Sequence, residues 1–490
     1  MGLPQKLEST LETTVTILQL NDLHGYLEPH WEMVREEASW SFKKLGGLTK
    51  IASLFDSTRS SASGPVLTLD NGDTFHGTYV ANHDRGASMI PLMNSLKVDA
   101  MATHWEFAYG PTGVKDIEKQ LDYPMLAINC YYKDTGKLFF KPYKMIDRNG
   151  LKVAVIGLAC PIVDKTMPPS FSEGIRFTIG NEELPKWIKT VKENEDADLI
   201  VVLSHLGFPQ DVQLAKEVSG IDILVSGHTH NRMNHAVVEN GAIIFQSGCH
   251  GSFIGKLVAK VMDRKVKSFE HSLIAIDETI DEDSNMKVMV ESVMSPHRSQ
   301  LNQVVGKVKS PLHRYSMLSS PMDDVLLEAI MQTAKTQISF SNGWRYGAPI
   351  PPGPVRVEDL WNIIPMNPPI QTVDMSGAEL IQMLEENLER TFASKPYEQM
   401  GGYVKRMRGL TLYFKAENPK GCRVDRLFVG DKLVENDTYY SVAFVTSQGV
   451  PKKFGRNRQK LATDAITSLR TLFESREVVV PSEKPTVFEI

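Results

Sequence analysis

The sequence predicts an α/β fold in two domains. The 490 residues are too many for one ordinary hydrophobic core. In the first half, short apolar and β-branched runs alternate with stretches of helical periodicity. Acid and imidazole side chains fall repeatedly just past the ends of those runs, where open α/β sheets hold their ligands. A hydrophobic fraction of 42% and a charged fraction of 23% are those of a soluble globular protein. A net charge of −5 is mild and gives no reason to expect a nucleic-acid polymer or an anionic membrane as a partner.

The elements follow in order. Residues 15–20 are apolar and β-branched and read as a buried strand ending at Asn21-Asp22-Leu23-His24-Gly25. Gly46-Gly47 opens a helix over 48–58, with apolar residues at Leu48, Ile51, Ala52, Leu54 and Phe55. A strand over 66–69 ends at Asp70-Asn71-Gly72-Asp73-Thr74, and a short run over 98–102 ends at Thr103-His104. Residues 151–158 form a clear strand. A polar helix over 182–194 precedes a strand over 199–203 that ends at Ser204-His205. The run 221–225 ends at Gly227-His228-Thr229-His230, and 243–245 ends at Gly248-Cys249-His250-Gly251. The charged, Met-rich stretch 280–302 reads as a linker helix between a first domain, 14–279, and a second, 303–490. The second domain is expected to hold a helix over 322–339, Gly/Pro-rich turns over 347–354, a helix over 377–392, and strands near 410–414, 426–429 and 439–444.

No apolar stretch is long enough for a membrane span. Met1 to Thr14 is polar and carries no basic segment followed by an apolar run. Cys130, Cys160, Cys249 and Cys422 are far apart and form no Cys-x-x-Cys. Reduced thiols and a cytoplasmic home are expected, or a periplasmic one if a leader has been removed.

Any one of the thirteen histidines reads alone as a packed or surface residue. Imidazoles and carboxylates at the ends of several converging strands are instead the usual offer to Zn, Mn or Fe. A carboxylate shared by two ions permits a binuclear site, with the metals ~3.5–4 Å apart. Such a site favours attack by a metal-bound hydroxide on a tetrahedral centre. His76, His83 and His235 read as structural. His250 is open to either reading.

The order Asp22-Leu23-His24, Gly72-Asp73, a strand-end motif before Glu106-Phe107, Ser204-His205 and Gly227-His228-Thr229-His230 resembles the calcineurin-like metallophosphoesterases. Within them it is most similar to the 5'-nucleotidase family, over about 14–450. Ser341-Asn342-Gly343-Trp344-Arg345 resembles that family's Asn-Gly-Gly-x-Arg substrate loop, and Gly377-Ala378-Glu379-Leu380 its Thr-Gly-x-x-Leu helix start. The resemblance implies a four-layer α/β/β/α sandwich followed by a smaller α/β 5'-nucleotidase-type C-terminal domain that binds substrate. It also implies two divalent transition-metal ions, Mn or Zn. One would be held by Asp22, His24 and His230, the other by His205, His228 and His104, with Asp73 bridging. Rotation of the second domain about the linker would carry its arginines to the metals.

One stretch departs from the nucleotidases. Where they carry Gly-Asn-His-Glu-Phe-Asp, this chain has Thr103-His104-Trp105-Glu106-Phe107-Ala108. The metal-binding Asn becomes His104, the family's catalytic His becomes Trp105, and the Asp that orients it becomes Ala108. A His-Trp-Glu-Phe run is similar to the thiosulfohydrolase branch of bacterial sulfur oxidation (SoxB type). So is the segment Lys395 to Arg406, which resembles Pro-Tyr-x-Gln-x-Gly-Gly-x-x-x-Arg. The nucleotidase base-binding tail is not recognisable after Val445. Three readings follow. The first is a binuclear hydrolase attacking a phosphate monoester or nucleotide-like substrate. The second is a thiosulfohydrolase releasing sulfate from a cysteine S-thiosulfonate on a sulfur-carrier protein. The third is a metal-retaining protein without turnover, against which the intact ligand set argues. The expected site holds His250 and Arg345 as catalytic groups, and Asn342, Arg345, Tyr403 and Arg406 around a small anionic phosphate- or sulfate-like group.

Overall fold

The computed structural model describes residues 12–36, 39–482 and 484–490. Most of the N-terminal segment that bears on a leader lies outside them.

Two sheets are stacked face to face in the first domain. One has the order Lys265–Ala275, Phe253–Met262, Thr13–Leu20, Val66–Asp70, Ala100–Met101. The other runs Val237–Glu239, Ala242–Phe245, Ile223–Ser226, Leu199–Ser204, Leu151–Leu158, Tyr143–Arg148. Val15, Ile17, Leu67 and Leu69 from the first meet Val153, Val155, Val201 and Val225 from the second in one buried core. Helices Leu48–Ser61 and Ile90–Ser95 cover the outer face of the first sheet through Ile51, Phe55 and Leu92. Helices Leu184–Asn194 and Phe208–Glu217 cover the second through Ile188, Val191 and Leu214. The result is the four-layer α/β/β/α sandwich. Its central strands are largely apolar because both faces are buried, as parallel strands under helices must be, with buried Thr16, Gln19 and Thr68 among the exceptions.

The parallel pairing puts the functional ends together. Thr13–Leu20 pairs in parallel with Val66–Asp70, and that with Ala100–Met101. In the other sheet Leu151–Leu158, Leu199–Ser204, Ile223–Ser226 and Ala242–Phe245 are also mutually parallel. The carboxyl ends of each set therefore open at one edge of the sandwich.

Helix Ser284–Leu301, capped by the Asp283 side chain on Met286 N, leads into the second domain. That domain is built on a sheet of order Arg406–Arg408, Ile338–Ser341, Tyr439–Phe444, Pro369–Ser376, Arg456–Asp464. Helix Gly377–Phe392 starts at a capping box in which Ser376 and Glu379 satisfy each other's backbone amides.

Two expectations are corrected. The helix predicted over 322–339 ends at Ala334, where Lys335 takes the left-handed conformation, and Ile338–Ser341 is a central strand. Two hairpins went unread, His30–Glu36 with Ser39–Leu45 and Phe253–Met262 with Lys265–Ala275. Among the described residues no helix is long and apolar enough to cross a membrane. All four cysteines are free thiols, three buried and Cys422 exposed.

Candidate metal centre

Seven side chains converge at the open edge of the sandwich. Asp73, His104, His205 and His228 form one group, and Asp22, His24, Asp73 and His230 another; within each, the ligand atoms lie within 4.8 Å of one another. Asp73 belongs to both. Its Oδ1 is 3.0 Å from His104 Nδ1, and its Oδ2 is 3.3 Å from His205 Nε2 and 3.6 Å from His24 Nε2. Asp22 Oδ1 is 3.3 Å from His230 Nε2 and 3.5 Å from His205 Nε2.

The backbone is strained to achieve this. Asp22, His24, Asp73, His228 and His230 all take positive φ, between 48° and 72°. Such conformations cost about 1 kcal/mol or more for a residue with a Cβ and persist where surrounding bonds fix them. Here His24 N donates to Asp73 O at 2.7 Å, Trp105 N to Asp73 Oδ1 at 2.7 Å, and His228 N to Asp22 Oδ2 at 3.2 Å.

The imidazoles are set up as ligands. His24 Nδ1 donates to His76 O at 3.0 Å and His205 Nδ1 to Asn71 O at 2.5 Å, which turns each Nε2 inward. Against the pull of burial, the Asp73 and Asp22 carboxylates push His205 up to about 10, a proton that a bound cation would displace. Burial pushes His24 and His228 well below the usual imidazole range and His230 down to about 3, so all three are neutral. Burial opposes ionisation of Asp73 too, but His104 and His205 beside it hold its carboxyl well below the ordinary carboxylate range. Asp22 Oδ1, His104 Nε2, His205 Nε2 and His228 Nε2 are buried without a hydrogen-bond partner among the described residues. Four orphaned donor-type atoms in one buried cluster are what two divalent cations would satisfy.

Several supporting residues were not singled out from sequence. Glu106 accepts from Thr74 N at 2.7 Å and His104 N at 2.9 Å, tying together the two loops that carry Asp73 and His104. Asn71 donates to Ser204 O and Val225 O, both at 2.9 Å, and so joins the ends of the two sheets. Asp211 accepts from Ser204 and Ser226 hydroxyls at 2.6 Å. Asn71 and Glu106 flank site motifs, which is a usable signal; Asp211 has none, since it reaches the strand ends only through the tertiary fold. Tyr346, from the second domain, stacks on His24 with ring centroids 3.9 Å apart.

A cavity of about 400 Å³ opens on this cluster. Asp73, His104, Trp105, His228 and His230 line one wall, and Asn342, Arg345 and Tyr403 face them. Trp105 is held against His76 at 4.8 Å and edge-on to Tyr346 at 5.7 Å. Gly401, at φ 65°, abuts the cluster so closely that a Cβ there would lie 2.2 Å from His228 Nε2. Arg345 lies 5.2 Å from the Tyr403 ring and has no ion pair among the described residues.

Two expected site residues stand elsewhere. Arg406 is buried outside the cavity, its Nε 3.0 Å from Asp323 Oδ2 and its terminal nitrogens donating to Met317 O and Ser316 O. These contacts aim the guanidinium away from the cavity, whose lining does not include Arg406. His250 lies behind the cluster, between Tyr26 and His30, with its Nε2 accepting from Gly347 N at 3.3 Å. His76, His83 and His235 fall outside both ligand groups, as read from sequence.

Fold and site together define a metal-dependent hydrolase with a mixed α/β catalytic domain and a second domain closing over it. The calcineurin-like phosphoesterase family matches residues 15–232 and the 5'-nucleotidase C-terminal domain matches 304–447. The chain belongs to the calcineurin-like phosphoesterases that carry a 5'-nucleotidase C-terminal domain, a group built around a binuclear divalent metal site. It is 26% identical over 479 residues to the trifunctional nucleotide phosphoesterase protein YfkN of Bacillus subtilis, covering 87% of this chain but only 31% of that protein. It is 25% identical over 452 residues to a 5'-nucleotidase of Vibrio cholerae, covering 81% and 80% of the two chains. Among solved structures, the sulfate thiohydrolase SoxB of Thermus thermophilus superposes with a TM-score of 0.91 at 22% identity, over 100% of this chain and 98% of that one. A 5'-nucleotidase precursor from Thermus thermophilus superposes at 0.85 with 24% identity, over 97% and 99%.

Proposed function

We propose that this chain hydrolyses a small anionic substrate, a phosphate monoester or nucleotide-like compound, at a pair of divalent transition-metal ions, Mn or Zn. The first domain is taken as 14–279, the linker as 280–302 and the substrate domain as 303–490. Asp22, His24 and His230 would hold one ion, His104, His205 and His228 the other, with Asp73 between them. The observation that carries this reading is the set of buried, unpartnered ligand atoms in two groups that share Asp73 and face a cavity. Bound ions would supply Lewis acidity and an activated water.

The protein's own groups do the rest. Arg345, from the opposite wall, binds the anionic oxygens; its planar fork matches two of them at once. Asn342 lines the cavity beside it. The hydrogen bond from Trp105 N to Asp73 Oδ1 and those from Thr74 N and His104 N to Glu106 hold the two ligand loops in register. Trp105, Tyr346 and His76 form a rigid aromatic wall that keeps bulk water out. Direct support comes from hydrolysis of a generic aryl phosphate by manganese- or zinc-loaded protein, abolished by chelation; no turnover of any phosphate ester by metal-replete protein would overturn the reading.

A second reading is favoured by Trp105. Indole offers no proton near neutral pH, so the leaving group must depart unassisted. A persulfide anion, the group left on the carrier cysteine when the outer S–S bond is hydrolysed, does this far more readily than an alkoxide. Release of sulfate from a cysteine S-thiosulfonate on a sulfur-carrier protein is accordingly the alternative, and a substrate panel containing a thiosulfonate-modified peptide separates the two.

A further inference from the structure

The cavity does not end at Arg345. It continues along a second wall made by helix Gly377–Phe392, the loop 400–405 and the loop 447–453. Met383, Glu386, Asn387 and Arg390 of the helix line it, with Lys405 and Lys452 from the loops. Asn387 and Thr391 pin the middle loop to the helix. Asn387 Nδ2 and the Thr391 hydroxyl donate to Tyr403 O, and Asn387 Oδ1 accepts from Lys405 N at 2.6 Å.

The charge on this wall is one-sided. Glu386, its carboxylate, is neutralised by Lys453 at 2.6 Å. Arg390 and Lys452 are exposed and form no ion pair among the described residues. Lys405 is 5% exposed and likewise has no acidic partner among them; its Nζ donates to Gln448 O at 2.7 Å and Gly449 O at 2.9 Å. An ammonium has three donors, so one is left over. Burial pushes its pKa down to about 7, the mark of a cation held without a counter-ion. A buried lysine that destabilises the empty fold needs an occupant to explain it.

We propose that Lys405, Arg390 and Lys452 form an anion subsite for a second negative group, a carboxylate or phosphate carried on the leaving group of the substrate. This rests on the reading above, in which the first oxyanion sits between the ligand cluster and Arg345. The reach is set by the chain itself. Gly401 touches His228 and Lys405 lies four residues on, and four residues span at most about 14 Å. The substrate is therefore double-headed, with its two anionic groups separated by several bonds. Met383 and Met400, which also line the cavity, suit a flexible apolar spacer.

The test uses metal-replete full-length protein and titration calorimetry with two phosphonates of equal chain length, 6-phosphonohexanoate and hexylphosphonate. The carboxylate-bearing probe is expected to bind at least ten-fold more tightly, and Arg390→Ala with Lys452→Ala, both at exposed positions, to erase most of that difference while leaving hexylphosphonate unchanged. Lys405→Met should erase the remainder. Equal affinity of the two probes overturns the subsite alone. Failure of both to bind overturns the placement of an oxyanion at the cluster, and the subsite with it.

Discussion

Replacing Trp105 by His and Ala108 by Asp together should raise the hydrolysis of AMP. The two positions lie in one short 3₁₀ turn, Trp105–Tyr109, where residues three apart eclipse on the same side. Trp105 lines the cavity and its amide is fixed on Asp73 Oδ1, so an imidazole introduced at this position faces the substrate's leaving group. A carboxylate introduced three residues on, at a half-buried position, can take that ring's second nitrogen and hold it in the useful tautomer. General acid–base help is worth ~10²–10⁴-fold in rate, which is the gain expected for the pair. The single Trp105→His change should give a smaller gain, since its imidazole is not oriented. The substitution removes the stack on His76 and the edge contact with Phe171, so some loss of stability is expected; Trp→Ala in a core costs about 3–5 kcal/mol, and a retained ring costs less. The assay is steady-state phosphate release from AMP and from a p-nitrophenyl ester, with melting temperature as the control. The ester, with its good leaving group, should respond far less than AMP. Efficient AMP turnover by the unaltered protein would refute the reasoning, as would a correctly folded double variant that gains nothing on AMP.

Asp73→Asn should drop the metal content from two ions to fewer than one per chain, because Asp73 contributes to both ligand groups; elemental analysis after purification without chelator reads this directly, and unchanged stoichiometry removes Asp73 as the bridge. Arg345→Ala should leave metal content intact and raise KM roughly 10- to 150-fold, the range for losing a charge-assisted hydrogen bond of about 1.5–3 kcal/mol; an unchanged KM would show that the substrate does not reach this residue. Lys405→Met should stabilise the protein. The Lys405 pKa falls from 10.5 unfolded to about 7 folded, so the penalty for the buried charge is complete below pH 7 and is relieved as pH rises towards 10.5. Chemical denaturation at pH 6.5 and pH 9.5 should show the variant's advantage shrinking between them, and an advantage that grows with pH would contradict the sign.

Much of this was legible because the chemistry sits at strand ends. A parallel sheet exposes its loops at one edge, so Asp22, Asp73, His205 and His228 could be joined from one dimension to three by noting that each follows a β-branched run. The helix that begins at Gly377 was legible for a local reason, since Ser376 and Glu379 spell out their own capping box. Failures arose where local pattern and tertiary context part. Ile338-Ser339-Phe340-Ser341 continues the apolar periodicity of the preceding helix, and only the left-handed turn at Lys335 separates the two. Arg406 sits beside a Gly-Gly loop that does reach the site, but alternation along Arg406–Arg408 turns its side chain into the Asp323 pair. Its neighbour Lys405, facing the other way, is the one that lines the cavity. Such a one-residue register decision is invisible without the strand partner.

The contribution of the second domain was the hardest part to read, and it bears on how the enzyme moves. Rotation about the linker was expected to bring arginines towards the metals. In the structure the loop 342–348 is already fastened to the first domain on several sides. Tyr346 stacks on His24, Gly347 N donates to His250, and Ala348 N donates to Tyr26 Oη at 2.7 Å. Tyr26 in turn donates to Asn362, and Asn82 Nδ2 donates to Pro365 O at 2.6 Å. Four hydrogen bonds at about 0.5–1.5 kcal/mol each, and a stacked pair at about 0.5–1.5 more, oppose separation of the two surfaces. His250, read from sequence as a candidate catalyst, thereby acquires a different physical role. Its Nε2 receives the loop amide and its ring packs against Tyr26, so it joins a first-domain strand end to the loop that carries Arg345. A rotation large enough to open the cavity would have to release His250 and the Tyr346–His24 stack together. With those contacts in place, Arg345 and the ligand cluster already face the same 400 Å³ space, and no rotation is needed to bring them together.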